Sequence, residues 1–400
     1  MKSSIAISHE IDDLELAVKE LTTQINERLN LSRNSIGVVY CDADVDVGKL
    51  GELLHRSLGM DIVGLTTTAT IERNSGYNDM GILLSVMTAN DVEFSVGYTG
   101  ELENDSYPRA IKDAYKKARA GIPDDPSLII SFSPYIADLT SENYVELLDG
   151  ASGGAPVFGG VATDHYDLQH MKTFYNGQAF SRGLVFLLFA GNIKPVFAMT
   201  HHFGAKVEKK GVITKSSGNL VQMVGDQTFK EFVSSMVPVP DEETVIYHFQ
   251  STPFVMELPD FEKNEQPVVR ALCTIDHGTG AGGFLSKMPE GSAIYLNEFQ
   301  RNDLSISCKT ALSGLIEQMN ENKDYSYGTI FISTCNARHL LMADDKKLES
   351  DILTDKLREL PPELNAMGFY GFGEMCPTGK KADGAAKNRF HNISFAVCAI

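Results

Sequence analysis

The sequence predicts a mixed α/β (α+β) protein built as two sheet-centred modules. Three observations carry this. Amphipathic helices alternate with short apolar strands. The order helix, strand, helix, glycine turn, strand recurs three times. A β-rich stretch separates the second occurrence from the third.

In the first occurrence Leu14, Ala17, Val18, Leu21, Ile25 and Leu29 form a stripe at helical spacing, which must face a core. The run Ile36 to Cys41 predicts a buried strand, and Leu50, Leu53, Leu54 and Leu58 predict a second helix. Gly64-Leu65-Thr66-Thr67-Thr68 supplies the turn, and Ile82 to Met87 the closing strand. The second occurrence places Ile111, Ala114, Tyr115 and Ala118 on a helix and Leu128 to Phe132 on a strand, with Ser141 as N-cap of the helix bearing Val145 and Leu148. Its turn is the segment Gly153-Gly154 and Phe158-Gly159-Gly160-Val161-Ala162-Thr163-Asp164. Asn176-Gly177 predicts a hairpin before the strand Gly183 to Ala190. The third occurrence has Cys308, Ala311, Leu312, Leu315, Ile316 and Met319 on a helix, Thr329 to Thr334 as strand, and Leu348, Ile352 and Leu357 on a second helix. Gly368-Phe369-Tyr370-Gly371-Phe372-Gly373-Glu374 is its turn, and Phe390 to Val397 the final strand.

Between the second and third occurrences, Val196 to His202, Val212 to Thr214, Leu220 to Val224, Val245 to Phe249, Val268 to Ile275 and Ala293 to Asn297 all read as strands. A chain of 400 residues exceeds what one core usually supports. The predicted modules are 1–225 and 226–400.

Composition narrows the function classes. Acidic residues number 53 against 35 basic ones, giving a net charge of -18 that repels phosphate backbones. The densest basic clusters, Lys116 to Arg119 and Lys206 to Lys210, are short, so nucleic acid is not an expected partner. No window approaches a membrane span, and the N-terminus reads without a signal peptide's apolar core and cleavage site. Six scattered cysteines fit a reducing compartment. The expected location is the cytoplasm.

Four segments, in this order and spacing, resemble the FIST family over roughly residues 25–400: Val63 to Thr68; Phe158-Gly159-Gly160 with Asp164 and Asn176-Gly177; Ser333 to Arg338; and Gly368 to Glu374 followed by Phe390-His391-Asn392. The family's FIST N and FIST C modules occur in bacterial signalling proteins and in some F-box proteins. The resemblance implies a sensor of small molecules such as amino acids or similar small anions, and one branch is similar to haem-based nitric oxide sensors. The family pattern continues its first threonine segment with Gly and an acid, where this chain has Ala69 and Thr70; Glu374 stands where the C-terminal acid is expected. With no recognisable kinase, cyclase or F-box segment, such a sensor would act through a separate signalling protein.

The candidate ligand-binding residues are Thr66, Thr67, Thr68, Gly159, Gly160, Asp164, Asn176, Cys335, Arg338, Glu374 and His391. Glycine turns can offer backbone N–H groups to an anion, or they can simply allow close packing. Arg338 and Glu374 could hold the carboxylate and ammonium of an amino acid, or pair with each other. Cys335 precedes a cation that could activate its thiol, and with His391 it admits a cysteine-dependent enzyme; an inert buried thiol is the alternative. Haem would need an axial ligand, for which His201, His202 and His391 are available. No phosphate loop, dinucleotide fingerprint or metal-ligand spacing occurs. The expectation is therefore a non-catalytic sensor with its pocket between the modules, with the haem sensor, the cysteine enzyme and a pure interaction scaffold as alternatives.

Overall fold

A computed structural model describes residues 1–103, 105–136, 139–201, 209–262 and 265–400. The recurring unit is longer than the sequence predicts, because a strand precedes each first helix and a hairpin or strand pair precedes each last strand. Unit one runs β1 (Lys2–Ser8), α1 (Leu14–Arg28), β2 (Ser35–Cys41), α2 (Val47–Leu58), β3 (Asp61–Thr66), β4 (Thr70–Glu72), β5 (Gly76–Asn78) and β6 (Ile82–Thr88). Unit two repeats it with β7 (Val92–Tyr98), α3 (Tyr107–Arg119), β8 (Leu128–Ser133), α4 (Glu142–Ser152), β9 (Val157–Val161), β10 (Thr173–Tyr175), β11 (Gln178–Phe180) and β12 (Val185–Gly191).

Unit three opens with β13 (Val196–Thr200) and is then interrupted by an inserted sheet. That insert comprises β14 (Lys210–Ser217), β15 (Leu220–Val224), β16 (Gln227–Thr228), α5 (Phe229–Ser234), α6 (Ile246–Phe249), β17 (Phe254–Glu257), β18 (Val268–Arg270), β19 (Leu272–Ile275), β20 (Gly282–Phe284) and β21 (Ala293–Leu296). The unit resumes with α7 (Arg301–Glu321), β22 (Thr329–Cys335), α8 (Asn336–Leu341), α9 (Leu348–Leu357), β23 (Asn365–Gly371), β24 (Glu374–Lys380), β25 (Ala386–His391) and β26 (Phe395–Ala399).

Each unit's sheet is completed by the next unit's strand pair. The three six-stranded sheets run β1-β6-β2-β3-β10-β11, β7-β12-β8-β9-β24-β25 and β13-β26-β22-β23-β4-β5. In each, the two central strands are parallel, as β2 and β3 are from Ile36↔Asp61 to Cys41↔Thr66, and the others antiparallel. The exchange is cyclic: two lends to one, three to two, and one to three.

The alternation of side chains along a strand explains how three sheets share one centre. On β2, Ile36, Val38 and Tyr40 point into a core shared with Phe132 and Phe158 of unit two and Phe331 and Phe369 of unit three. Val39 and Cys41, on the opposite face, pack against Leu21, Ile25 and Leu50 of the covering helices. The predicted stripe on α1 is buried as expected, and Asp13 caps that helix by accepting from Leu16 N. The inserted sheet has its own core around Phe229, Phe254 and Phe284.

Several sequence assignments change. The predicted glycine turns are largely strand, with residues 64–66 in β3, 158–161 in β9 and 368–371 in β23. Val268 to Ile275 is two strands, β18 and β19, at opposite ends of the inserted sheet, and Ser141 stands at the start of α4 without a capping side-chain hydrogen bond. Val196–Thr200 belongs to the third sheet rather than to the inserted β-rich stretch, and of the predicted strand Val245 to Phe249, residues Ile246–Phe249 form the short helix α6. The predicted last strand is two strands, broken at Ile393, which has φ 57°. His202 and Lys206 to Glu208 lie outside the described residues. Among the described residues, no helix is long and apolar enough to cross a membrane.

Candidate functional site

The turns following β3, β9 and β23 meet at the centre of the three units, and the threonines knot them together. Thr66 Oγ1 donates to Thr163 O at 3.0 Å, Thr67 Oγ1 to Tyr370 O at 2.9 Å, Thr68 Oγ1 to Asp164 O at 2.8 Å and Thr163 Oγ1 to Tyr370 O at 2.7 Å. These hydroxyls are buried and occupied by backbone carbonyls of the other units. Gly159 has φ +142°, and a Cβ there would stand 2.0 Å from Ser131 O; a Cβ on Gly160 would meet Ser333 Oγ at 2.7 Å. Both glycines allow sheets to approach, pairing with Met375 and Glu374 of the exchanged strand.

Asp164 is fully buried, and its carboxylate shapes the loop that follows. Oδ1 accepts from Tyr166 N (3.1 Å) and Leu168 N (3.2 Å), and Oδ2 from Gln169 N (2.8 Å) and His170 N (3.0 Å). Tyr166 and Leu168 are held at φ 72° and 61°, a left-handed conformation costly for residues with a Cβ. Tyr166 is then fixed by a chain of hydrogen bonds crossing all three units. Its hydroxyl lies 3.2 Å from Asn336 Oδ1 and 2.8 Å from His339 Nδ1, and His339 Nε2 lies 2.9 Å from Tyr77 Oη. One proton assignment satisfies every member: Tyr77 donates to Nε2, Nδ1–H donates to Tyr166, and Tyr166 donates to Asn336. It requires a neutral imidazole, and burial pushes His339 down to about 4.

Beneath this loop lies a cavity of about 120 Å³. Tyr166 and Leu168 of unit two, Tyr247, Phe249, Gln250 and Leu272 of the insert, and Cys335, Asn336, Phe372 and Asn392 of unit three line it. None of its lining residues is an acid or a base. Its polar atoms are oriented. Asn336 Oδ1 is engaged by Tyr166 and Asn392 Oδ1 by Ser286 Oγ at 2.8 Å. The Nδ2 groups of both asparagines, and Gln250 Oε1, are buried without a hydrogen-bond partner among the described residues. Such groups are costly unless something pairs with them. The residues lining this largely apolar cavity therefore carry two unpaired amide donors and one unpaired acceptor.

Of the residues expected from sequence, only Cys335 lines this cavity. Burial first, and the Glu374 carboxyl second, push its thiol well above the usual value. Arg338 is fully buried and pairs with Glu349, Nε and Nη2 each standing 2.7 Å from Glu349 Oε1, so the pairing with Glu374 that the sequence admitted is not made, and neither Arg338 nor Glu374 lines the cavity. Its guanidinium also faces the rings of Phe299 and Phe395 at 5.8 Å. Glu374 Oε2 accepts from Ser394 Oγ at 2.6 Å and Ser394 N at 3.2 Å, and burial raises its carboxyl to about 8. Asn176 is remote from this region: at φ 50° it turns the predicted hairpin, and its Oδ1 accepts from Ile62 N at 2.8 Å. His391 is buried, its ring centroid 6.4 Å from that of His201, and burial pushes both imidazoles down. Neither lines the cavity.

Haem does not fit here. A cavity of about 150 Å³ holds benzene, so 120 Å³ excludes a porphyrin, and no histidine is among the lining residues. The residues that sequence reasoning missed are Tyr166, Gln250, Asn336 and Asn392. Asn336 follows Cys335, and Asn392 follows His391, so both lay inside segments already marked by the resemblance.

Fold and site define a three-unit α/β protein with a small neutral cavity where two units and an inserted sheet meet. The chain belongs to the FIST family: the FIST N domain matches residues 35–227 and the FIST C domain residues 229–377. These are sensory, signal-transduction modules, which supports a sensor role. Among solved structures, the chain is similar to the crystal structure of a cyanuric acid hydrolase from A. caulinodans. That likeness is at 10% identity and a TM-score of 0.38, over 99% of this chain and 98% of that one. No curated protein matches.

Proposed function

We propose that this protein is a sensor of a small uncharged molecule bound in the cavity between Tyr166, Gln250, Asn336 and Asn392. The observation that carries the reading is the pairing of the two cavity-lining asparagines: each has its oxygen engaged and its amide N–H group buried without a partner among the described residues. A ligand carbonyl would satisfy those donors, and an N–H or O–H on the same molecule would satisfy Gln250 Oε1. Small amides, lactams and phenols have that character and size. An amino acid or small anion, the class expected from sequence, would bring charge into a cavity whose lining has no countercharge. A cysteine-enzyme reading is disfavoured because burial suppresses the Cys335 thiolate.

Occupancy would be transmitted by the loop after Asp164, whose Tyr166 touches unit three while its backbone belongs to unit two. A signalling partner in the cytoplasm would read the altered packing. Thermal unfolding against neutral amides, lactams and phenols, with amino acids and carboxylates in parallel, tests this. A ligand at 100 times its dissociation constant adds about 2.7 kcal/mol. The expected result is stabilisation by members of the neutral series, lost in Asn336→Ala. Stabilisation only by amino acids or carboxylates, or by neutral compounds equally in Asn336→Ala, would contradict the assignment.

A further inference from the structure

β2 and β22 end in related segments, Cys41-Asp42-Ala43 and Cys335-Asn336-Ala337, at corresponding places in units one and three. The loop after Asp164 lies between them. On one side Tyr166 meets Asn336. On the other, His165 Nε2 stands 3.1 Å from Asp42 Oδ1 and 3.6 Å from Asp44 Oδ2. All three donor atoms lie within 4.8 Å of one another.

Asp42 is what distinguishes this group from an ordinary surface cluster. Its side chain is 1% exposed. Oδ1 accepts from Asp44 N at 2.9 Å, whereas Oδ2, on the same carboxylate, is buried without a hydrogen-bond partner among the described residues. Carboxylate oxygens withdrawn from water are normally paired or coordinate a metal.

We propose that Asp42, Asp44 and His165 form a binding site for a divalent transition-metal ion, with Zn²⁺ the best match. An imidazole nitrogen with carboxylate oxygens suits zinc and its neighbours, whereas Mg²⁺ and Ca²⁺ favour oxygen alone. Ligand bonds of about 2.0–2.2 Å in a tetrahedral site set the donor atoms roughly 3.3–3.6 Å apart, close to the separations His165 makes here. Water would complete the coordination on the exposed side, where His165 is 47% exposed. A neighbouring group, Asp164, Asp167 and His170, has similar composition, but both oxygens of Asp164 are committed to four backbone amides. The ion would tie unit one to the loop of unit two, as Tyr166 ties that loop to unit three. The inference stands independently of the cavity's ligand.

Calorimetric titration of the metal-free full-length protein with Zn²⁺ at neutral pH tests it, with His165→Ala, Asp44→Asn and His170→Ala in parallel. Asp44 and His170 are surface residues, and circular dichroism checks each variant's fold. The expected result is one equivalent per chain, with affinity reduced at least about tenfold in His165→Ala and Asp44→Asn and unchanged in His170→Ala. Absence of binding would overturn the site, as would binding indifferent to His165→Ala or lost in His170→Ala. Equally tight Mg²⁺ or Ca²⁺ binding that ignores His165 would overturn it as well.

Discussion

Replacing Glu374 by Gln should make the protein more stable in mildly alkaline solution while leaving it nearly unchanged in acid. The carboxyl is fully buried, and burial raises it from 4.5 to about 8 against smaller opposing contributions from its Ser394 hydrogen bonds. A folded-state value above the unfolded one means that the folded protein keeps a proton the unfolded chain releases. Stability therefore falls as pH rises from about 4.5 to about 8 and levels off above. At about 1.4 kcal/mol per pH unit, the three units from pH 5 to pH 8 amount to roughly 3–4 kcal/mol. Gln reproduces the neutral acid's shape and keeps an acceptor for Ser394, but cannot titrate. Urea unfolding of both proteins at intervals from pH 5 to pH 8.5 isolates Glu374, because all other groups titrate in both. The two should agree within about 1 kcal/mol at pH 5 and diverge in the variant's favour by roughly 3–4 kcal/mol at pH 8. A gap independent of pH, or one favouring the wild type as pH rises, would show that Glu374 is ionised in the folded protein and refute the reasoning.

Asp164→Ala removes the acceptor of four backbone amides and should cost about 2–4 kcal/mol, with hydrogen exchange accelerating across residues 165–170; unchanged exchange there would show that the loop holds its own shape. Arg338→Met should cost about 3–5 kcal/mol by leaving Glu349 buried and unpaired, and Arg338→Met with Glu349→Leu should recover most of it; a double variant no better than the single would deny the pairing its role.

The long helices and the central strands β2, β8 and β22 were legible because each presents one unbroken apolar face or run, whereas their parallel neighbours β3, β9 and β23 read as turns because glycines interrupt the run. Leu14 to Ile25 and Thr329 to Cys335 need no distant partner to be recognised. Strand β1, Lys-Ser-Ser-Ile-Ala-Ile-Ser, escaped notice because its serines disguise it; its pairing with β6 supplies the order. Short hairpins such as β4–β5 carry too few residues for a period, and they exist because β23, almost 300 residues away, accepts them. The site was legible in neighbourhood but not in role. Asp164 and Arg338 stand out in the sequence, yet one shapes a loop and the other pairs with Glu349, eleven positions on and in another helix. Gln250 enters from the inserted sheet, and nothing in its local sequence connects it to Asn336.

The cyclic loan of strand pairs has a consequence for how the chain comes to be folded. Unit one emerges first from synthesis, but its sheet lacks an edge until residues 173–180 arrive, and unit two waits likewise for 374–391. Unit one's own hairpin, 70–78, has no partner until β23 is made. No closed unit can be set aside while the rest is translated, so folding is governed by contacts of very long sequence separation and should be slow. Exposed sheet edges persist in the nascent chain throughout, which makes protection from edge-to-edge association a requirement of its synthesis.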